Sequence, residues 1–336
     1  MAPSQSDGLG CSWSAPALVS VVIPTFNRAR YLPDAIRSVL QQSHRNVQLI
    51  VVDDGSTDET PAVLDGFEDQ RLIILRIARS RSPAHARNVG IARASGQLLA
   101  FLDSDDVWLH TKLERQVSAM RAARSCRWSY TLFDHIDEAG SPMAPLRGGV
   151  GNPRSGWILD SIITEDALVM VQSVLAETSL VRELGGFDET PELREDLDFC
   201  FRLAMRSQAC AVANELLRVR HHPGRTTYDL AEVRLWRVRA LRKLAHGHSD
   251  RSVRRLSRRE CDREMVDLAR VYVGSGRSGS ALVTLAKALP GGLFQRCWWT
   301  TLCRALLRPL ATQKMLEAYR RFRDRASARS RTATAK

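Results

Sequence analysis

Four short apolar runs, rich in β-branched residues, are separated by stretches of helical periodicity: Leu18 to Pro24 (LVSVVIP), Val47 to Val52 (VQLIVV), Leu72 to Ile77 (LIILRI) and Leu98 to Leu102 (LLAFL). Strands joined through helices run parallel by right-handed crossovers. Helices then cover both faces of the sheet, and each strand reads as a continuous apolar run. The expected fold is α/β, a doubly wound, mainly parallel sheet. Between the runs, Tyr31 to Gln42 places Leu32, Ala35, Ile36, Val39 and Leu40 on one helical face. Ser56 with Glu59 reads as a capping box for a helix through Val63 and Phe67, and Ser82-Pro83 opens a third helix that Gly96 closes.

Sheets of this kind bind ligands beyond the C-terminal ends of their strands, so the residues after each run carry the chemistry. After the first run stand Pro24, Thr25, Phe26, Asn27 and Arg28. After the second come Asp53, Asp54, Gly55, Ser56, Thr57 and Asp58, and after the fourth Asp103, Ser104, Asp105 and Asp106. Three carboxylates within four residues repel one another unless a cation joins them, and hard oxygen ligands favour Mg²⁺ or Mn²⁺. The same residues also suit an acidic turn or the N-cap of a helix containing Trp108 and Leu113. A carboxylate at Asp53 or Asp54 accepts hydrogen bonds from a base edge or a ribose hydroxyl, and Phe26 packs on a base. Helix capping and ordinary core packing account for these residues equally well.

Seven segments stand in an order and spacing that resembles the family 2 glycosyltransferases, whose GT-A fold is a single nucleotide-sugar-binding α/β domain. They are VSVVIPTFNR (19 to 28), LIVVDDGSTDET (49 to 60), ARNVGIARASG (86 to 96), LLAFLDSDDVW (98 to 108), GGFDE (185 to 189), REDLDFCFRLA (194 to 204) and RHHPG (220 to 224). The resemblance implies a nucleotide-diphosphate sugar donor, a UDP-sugar foremost. Its pocket would be framed by Pro24 and Phe26, continue through Asn27, Arg28 and Arg87, and place Asp53 and Asp54 on the base or ribose. Arg87 and Asn88 would help hold the sheet edge and the donor loop, with no chemistry of their own. Asp103 and Ser104 would lie against the ribose and diphosphate. Asp105 would hold the divalent metal, Mn²⁺ or Mg²⁺, with His222 near it; His221 is one residue of register away, and a plain loop histidine is the other reading. Asp106, Glu195 and Asp198 would stand behind these groups or on the acceptor side. Asp196 would be the general base that deprotonates the acceptor in a single inverting displacement. From the residues alone, Glu195, Asp196 and Asp198 also suit a first helical turn that complements the helix dipole. By analogy the role lies in cell-envelope or polysaccharide synthesis, with a glycan, a lipid-linked sugar or another hydroxyl compound as acceptor.

The 336 residues are enough for one large domain and an appendage. The expected division is a leader over 1–17, the catalytic domain over 18–229, a basic helical region over 230–319 and a tail over 320–336. Charge separates the parts: residues 231–336 hold 25 Lys and Arg against 8 Asp and Glu, and acids outnumber bases in the remainder. Within the basic region, Leu230 to Ala245 reads as a helix and Cys261 to Leu289 as a helical hairpin turning at Gly274 to Gly279, similar to one tetratricopeptide unit. Further on, Leu293, Phe294, Trp298, Trp299, Leu302, Leu306 and Leu307 alternate with Arg296, Arg304 and Arg308. That composition suits a helix on an anionic membrane surface, or one docked on the catalytic domain. Neither a membrane span nor a signal peptide is expected, and seven scattered cysteines without a Cys-x-x-Cys pair fit a reducing cytoplasm, with peripheral membrane contact as an addition. The charge lacks a nucleic-acid reading motif, so no nucleic acid is expected. A nucleotidyltransferase is disfavoured because VVIPTFNR offers no Gly-rich phosphate loop. A non-catalytic relative binding a partner through its helical tail is the remaining alternative.

Overall fold

The computed structural model describes residues 16–143, 152–190, 195–223, 229–288 and 296–307. Most of the expected leader and all of the expected tail lie outside these, as do Glu192, Gly224, Leu289, Leu293, Phe294 and Arg308. The chain divides into two compact units, Met1–Thr226 and Thr227–Lys336.

In the first unit the alternation is β1 (Val19–Thr25), α1 (Leu32–Leu40), β2 (Val47–Asp53), α2 (Thr60–Asp65), β3 (Leu72–Arg76), α3 (Pro83–Arg93) and β4 (Leu98–Phe101). β1 lies parallel to both β2 and β4, and β2 parallel to β3. The register puts Thr25 opposite Asp53 and Val22 opposite Phe101, so the polar residues after β1, β2 and β4 emerge at one edge. Leu32, Ala35, Ile36 and Val39 of α1 share a core with Val19, Val21 and Ile23 of β1 and Leu49 and Val51 of β2. On the other face α3 approaches so closely that a Cβ at Gly90 would overlap Val22 Cγ1.

The helix ends differ in part from expectation. Ser82 does cap α3, its hydroxyl accepting from His85 N at 3.2 Å, but the helix stops at Arg93, ahead of Gly96. The capping box at Ser56 does not form: α2 starts after Glu59 without a side-chain cap, and Ser56 Oγ accepts instead from Asn27 N at 2.9 Å. Asn27 sits in the left-handed region at φ 51°, and its Oδ1 accepts from Thr57 N at 2.8 Å, so the loops after β1 and β2 are laced together.

The second half adds β5 (Val107–Trp108), α4 (Lys112–Ala122), β6 (Cys126–Ile136), α5 (Leu159–Ile163), a 3-10 turn (Val171–Ser173), β7 (Leu175–Glu177), α6 (Thr178–Glu183), α7 (Glu195–Arg206) and β8 (Gln208–Arg220). Trp108 therefore belongs to a short strand rather than to a helix. The sheet order is β3-β2-β1-β4-β7-β6-β8-β5, with β7 antiparallel to β4 and β6 and β5 antiparallel to β8. β6 and β8 run parallel, with register shifts around Leu132, and end together at Ile136 and Arg220. His221 N donates to Ile136 O at 2.8 Å, which carries His221 and His222 to the edge of the sheet.

The second unit contains α8 (Leu230–Gly247), α9 (Arg251–Gly274), α10 (Ser278–Lys287) and α11 (Arg296–Leu307). Asp229 and Asp250 cap α8 and α9 through Ala231 N and Ser252 N. Val238, Leu241 and Ala245 are buried on α8, and Val253, Cys261 and Met265 on α9. Buried Arg237 and its neighbour Arg234 both pair with Glu264, at 3.2 and 2.9 Å. The hairpin spacing holds, with Ala269, Val273, Ala281, Leu285 and Ala288 all buried, although α9 starts well before Cys261. Trp298 departs from the expected membrane-facing set: it is buried, and its Nε1 donates to Leu285 O at 3.1 Å. Trp299 and Leu306 are exposed. No described helix is long and apolar enough to cross a membrane.

Candidate active site

The acidic turn after β4 is the centre of the site. Asp103, Asp105 and Asp106 each offer a carboxylate oxygen, and these oxygens all lie within 4.8 Å of one another. Each acid has a different neighbour. Asp103 Oδ1 accepts from Arg87 NH2 at 2.8 Å and its Oδ2 from Gln172 Nε2. Asp106 is buried and accepts from Arg220 N at 2.9 Å, and Ser104 is buried in the turn between them. Asp105 Oδ2 lies 2.9 Å from His222 Nε2 and 3.6 Å from Arg28 Nε. His222 is buried against Tyr31, ring centroids 4.3 Å apart. Burial and the hydrogen bond that Tyr31 donates to Glu138, at 2.9 Å, push the Tyr31 phenol above its ordinary value and keep it protonated. A cleft of about 240 Å³ runs beside these groups, lined by Asn27, Arg28, Tyr31, Asp58, Glu138 and His222. Converging carboxylates with an imidazole at their rim match the donor set of a hard divalent cation whose shell is completed by phosphate oxygens. His221 turns away from Asp105 and pairs with His135, Nε2 to Nδ1 at 2.8 Å.

Around the end of β2, Asp53 is buried and its Oδ1 accepts from Ser56 N at 3.0 Å. The Asp54 carboxylate accepts from Ser80 N at 2.6 Å and Arg81 N at 3.1 Å, and pairs with the Arg79 guanidinium. That guanidinium lies 3.5 Å from the Phe26 ring centroid. The loop over residues 79–81 thus covers both Asp54 and Phe26, beside half-buried Pro24. Sequence reasoning did not single out Arg79, because the stretch ARSRSP has no periodicity and no motif.

Opposite this lies α7, with Glu195, Asp196 and Asp198 in its first turn. Glu195 Oε1 accepts from Arg87 NH1 at 2.8 Å, so Arg87 links the acidic turn to α7. Burial alone would weaken its charge, but Asp103 and Glu195 outweigh that and raise its pKa above the usual arginine value. Asp196 is half-buried and accepts from Leu197 N at 2.7 Å. Asp198 is buried and pairs with Arg202 Nε at 2.7 Å, while Arg202 NH1 donates to Leu184 O and Gly186 O at 2.9 and 2.7 Å. Asp198 therefore braces the loop before α7. Gln172 also escaped the sequence reading, since its partner Asp103 is remote in the chain, and so did Arg202, whose carbonyl partners Leu184 and Gly186 lie outside its helix.

A family model described as "Glycosyl transferase family 2" matches residues 20–137. The putative teichuronic acid biosynthesis glycosyltransferase TuaG of Bacillus subtilis is 41% identical over 190 residues, covering 56% of this chain and 71% of that protein. The Escherichia coli protein WfgD, a UDP-Glc:alpha-D-GlcNAc-diphosphoundecaprenol beta-1,3-glucosyltransferase, is 42% identical over 103 residues, 31% of this chain and 41% of its own length. Against uncharacterized Rickettsia glycosyltransferases, 31% to 33% identical, this chain spans only 30% to 34% of the relatives' length. Among solved structures, S. aureus TarS 1-349 in complex with UDP superposes with a TM-score of 0.60 at 16% identity, over 90% of this chain and 91% of that one. The mannosyltransferase PcManGT of Pyrobaculum calidifontis, in complex with GDP-Man and Mn2+, gives 0.53 at 17% identity over 88% and 87%. These likenesses assign the GT-A fold.

Proposed function

The chain belongs to the family 2 glycosyltransferases, and we propose that it transfers a sugar, with inversion, from a UDP-sugar to a hydroxyl of a cell-envelope glycan or its lipid-linked precursor. The observation that carries this reading is the convergence of Asp103, Asp105 and Asp106 at the end of β4, beside His222. UDP as the nucleotide and an envelope glycan as product are supported by the UDP complex of TarS and by what TuaG and WfgD are named for.

Asp105 and His222 would hold a divalent cation, which when bound would supply positive charge against the donor diphosphate. Pro24, Phe26, Asn27, Arg28, Asp53 and Asp54 line the nucleotide side, with Phe26 as the ring for the base. Asp103 and Ser104 face the ribose and diphosphate, and buried Asp106 supports the turn through Arg220 N. Asp196 accepts the proton of the acceptor hydroxyl as its oxygen attacks the anomeric carbon from the face opposite the leaving group.

The acceptor's chemistry bears on the second unit. Arg251, Arg255 and Arg259 line a cleft of about 540 Å³ with Leu256, and α11 exposes Trp299, Arg304 and Leu306. Aromatic and arginine side chains presented together suit the head-group region of an anionic bilayer, so the enzyme is read as peripheral on the cytoplasmic membrane face. Cys126, Cys200, Cys210, Cys261 and Cys303 form no disulfide, which fits a reducing compartment. Sedimentation with phosphatidylglycerol vesicles and not with phosphatidylcholine vesicles, weakened by Trp299→Ser or Arg255→Ser, is the expected result. Equal recovery with both lipids removes the membrane reading.

The enzymatic reading is tested with a panel of nucleotide sugars, with and without Mn²⁺ or Mg²⁺. One donor is expected to stabilise the protein thermally only with metal, an effect lost in Asp105→Ala. Asp196→Asn is expected to keep donor binding and lose transfer by about 10²- to 10⁴-fold. Absence of binding by every donor under every metal condition overturns the assignment.

A further inference from the structure

We propose that Arg87, with Asn88 beside it, is a positioning residue that fixes the acceptor-side helix to the donor-side carboxylate, so that sugar transfer depends on it more than donor binding does. The proposal rests on Asp103 being donor-side and Asp196 being the base.

α3 is well suited to this task because it packs tightly on the sheet. Gly90 lets the helix backbone sit directly on the Val22 side chain of β1. From that fixed helix the Arg87 side chain, only 5% exposed, reaches two carboxylates remote in sequence. NH2 donates to Asp103 and NH1 to Glu195, each at 2.8 Å. A guanidinium is a rigid planar fork, so occupying both arms fixes the separation of its partners in a way that a flexible ammonium does not. Glu195 is the residue before Asp196 and opens α7, so the base inherits its position from Arg87.

Asn88 makes a second, independent tie to the loop before α7. Its Oδ1 accepts from Phe187 N at 2.8 Å, and its Nδ2 donates to Phe187 O at 2.9 Å and to Glu189 at 2.7 Å. Gly186, at φ +72°, is the residue that lets Asn88 enter, since a Cβ there would collide with the amide oxygen. His85, also on α3, adds a contact to Glu189 at 3.0 Å. The first turn of α7 and the loop before it are therefore both anchored on α3, while the nucleotide side is anchored by the loops after β1 and β2. Both arms of the Arg87 fork are occupied, one by Asp103 and one by Glu195.

The test separates transfer from hydrolysis. Water adjusts to a misplaced base, whereas a bulky acceptor does not. Arg87→Met and Glu195→Ala are therefore expected to lower transfer to acceptor by about 100-fold while hydrolysis of the donor falls less than about tenfold. In Glu195→Ala the metal-dependent nucleotide affinity should stay within about threefold of wild type, because this variant leaves the Arg87–Asp103 pair intact. Arg87→Lys, which keeps charge but not the fork, should recover part of the transfer lost in Arg87→Met, and Asn88→Ala should shift the transfer-to-hydrolysis ratio in the same direction by about tenfold. Transfer and hydrolysis falling in step, or loss of nucleotide affinity matching the loss of transfer, overturns the proposal and makes Arg87 a donor ligand or a plain structural residue. Glu195→Ala guards against a folding failure, because Glu195 is partly exposed and its loss leaves Arg87 paired to Asp103. If the wild type binds no nucleotide sugar, the functional reading fails before Arg87 is at issue.

Discussion

Asp53 and Asp103 stand where they do because β1, β2 and β4 run in register; Glu195 and Asp196 stand where they do because side chains hold a loop and a helix end in place. The first arrangement is built from backbone hydrogen bonds between strands buried on both faces. The second is built from Arg87, Asn88 and Arg202, each bridging separate segments of the chain. Damage to the first should therefore appear as lost stability, with all activities falling together. Damage to the second should appear as a changed reaction in a protein that still folds.

Gly90 and Asn88 allow this contrast to be drawn on one helix. Gly90→Ala forces a methyl group into Val22 and is expected to cost about 3 kcal/mol, only partly offset by better helix propensity. A urea melt should show the lower midpoint, and the transfer-to-hydrolysis ratio of the folded fraction should be that of wild type. A changed ratio in Gly90→Ala would break the contrast, since it would mean that strand packing also sets the geometry of the acceptor side.

The same contrast explains what was legible in the sequence. β1, β2 and β4 are largely apolar and buried on both faces, and β3 is a half-buried apolar run, so all four stand out and their ends are placed to within a residue or two. β6 and β8 carry Asp134, His135, Asn214 and Glu215 and shift register midway, which left no clean period to read. The acids after β2 and β4 and the first turn of α7 were visible as local clusters. Arg79, Gln172 and Arg202 were not, because an arginine or glutamine acquires a role only when the fold brings a carboxylate or an aromatic ring to it. The false capping box at Ser56 has the same origin: a hydroxyl that satisfies a local pattern was claimed instead by Asn27 from another loop.

The junction between the two halves is polar and provides a prediction of intermediate size. Lys112 is wholly buried, with Nζ 2.7 Å from Gln116 Oε1 and 3.9 Å from the Trp108 ring centroid. Gln116 in turn donates to Ser129 Oγ at 3.1 Å and Ser173 O at 2.9 Å, so α4 ties β6 to the 3-10 turn. Burial holds the Lys112 ammonium well below its ordinary value of 10.5. Between the lowered value and 10.5 the unfolded chain carries a proton that the folded chain lacks, so stability rises with pH in that window and levels off above it. The slope is at most about 1.4 kcal/mol per pH unit. Lys112→Met should flatten the rise in urea midpoint between neutral and alkaline pH. An unchanged slope would show that the ammonium stays charged against Trp108.

The smallest expected effect lies at Arg127, which donates from Nε to Glu177 at 2.7 Å, from NH2 to Glu183 at 2.8 Å and to Ser179 at 3.0 Å, and so ties β6 to β7 and α6. The hydrogen bond from Arg127 is the main cause that holds the Glu183 carboxyl below its ordinary value near 4.5. A depressed carboxyl contributes stability that is fully present above the unfolded value and is lost as pH falls through the folded one, so the window lies below about pH 4.5. Glu183 is 39% exposed and solvent screens the pair, so Glu183→Gln should cost only about 0.5 kcal/mol at neutral pH. The variant and wild type should converge in stability as the medium is acidified, and the transfer-to-hydrolysis ratio should not move. A shifted ratio would place Arg127 among the ties that set the acceptor geometry, and the side-chain-held region would then extend from α7 back to β6.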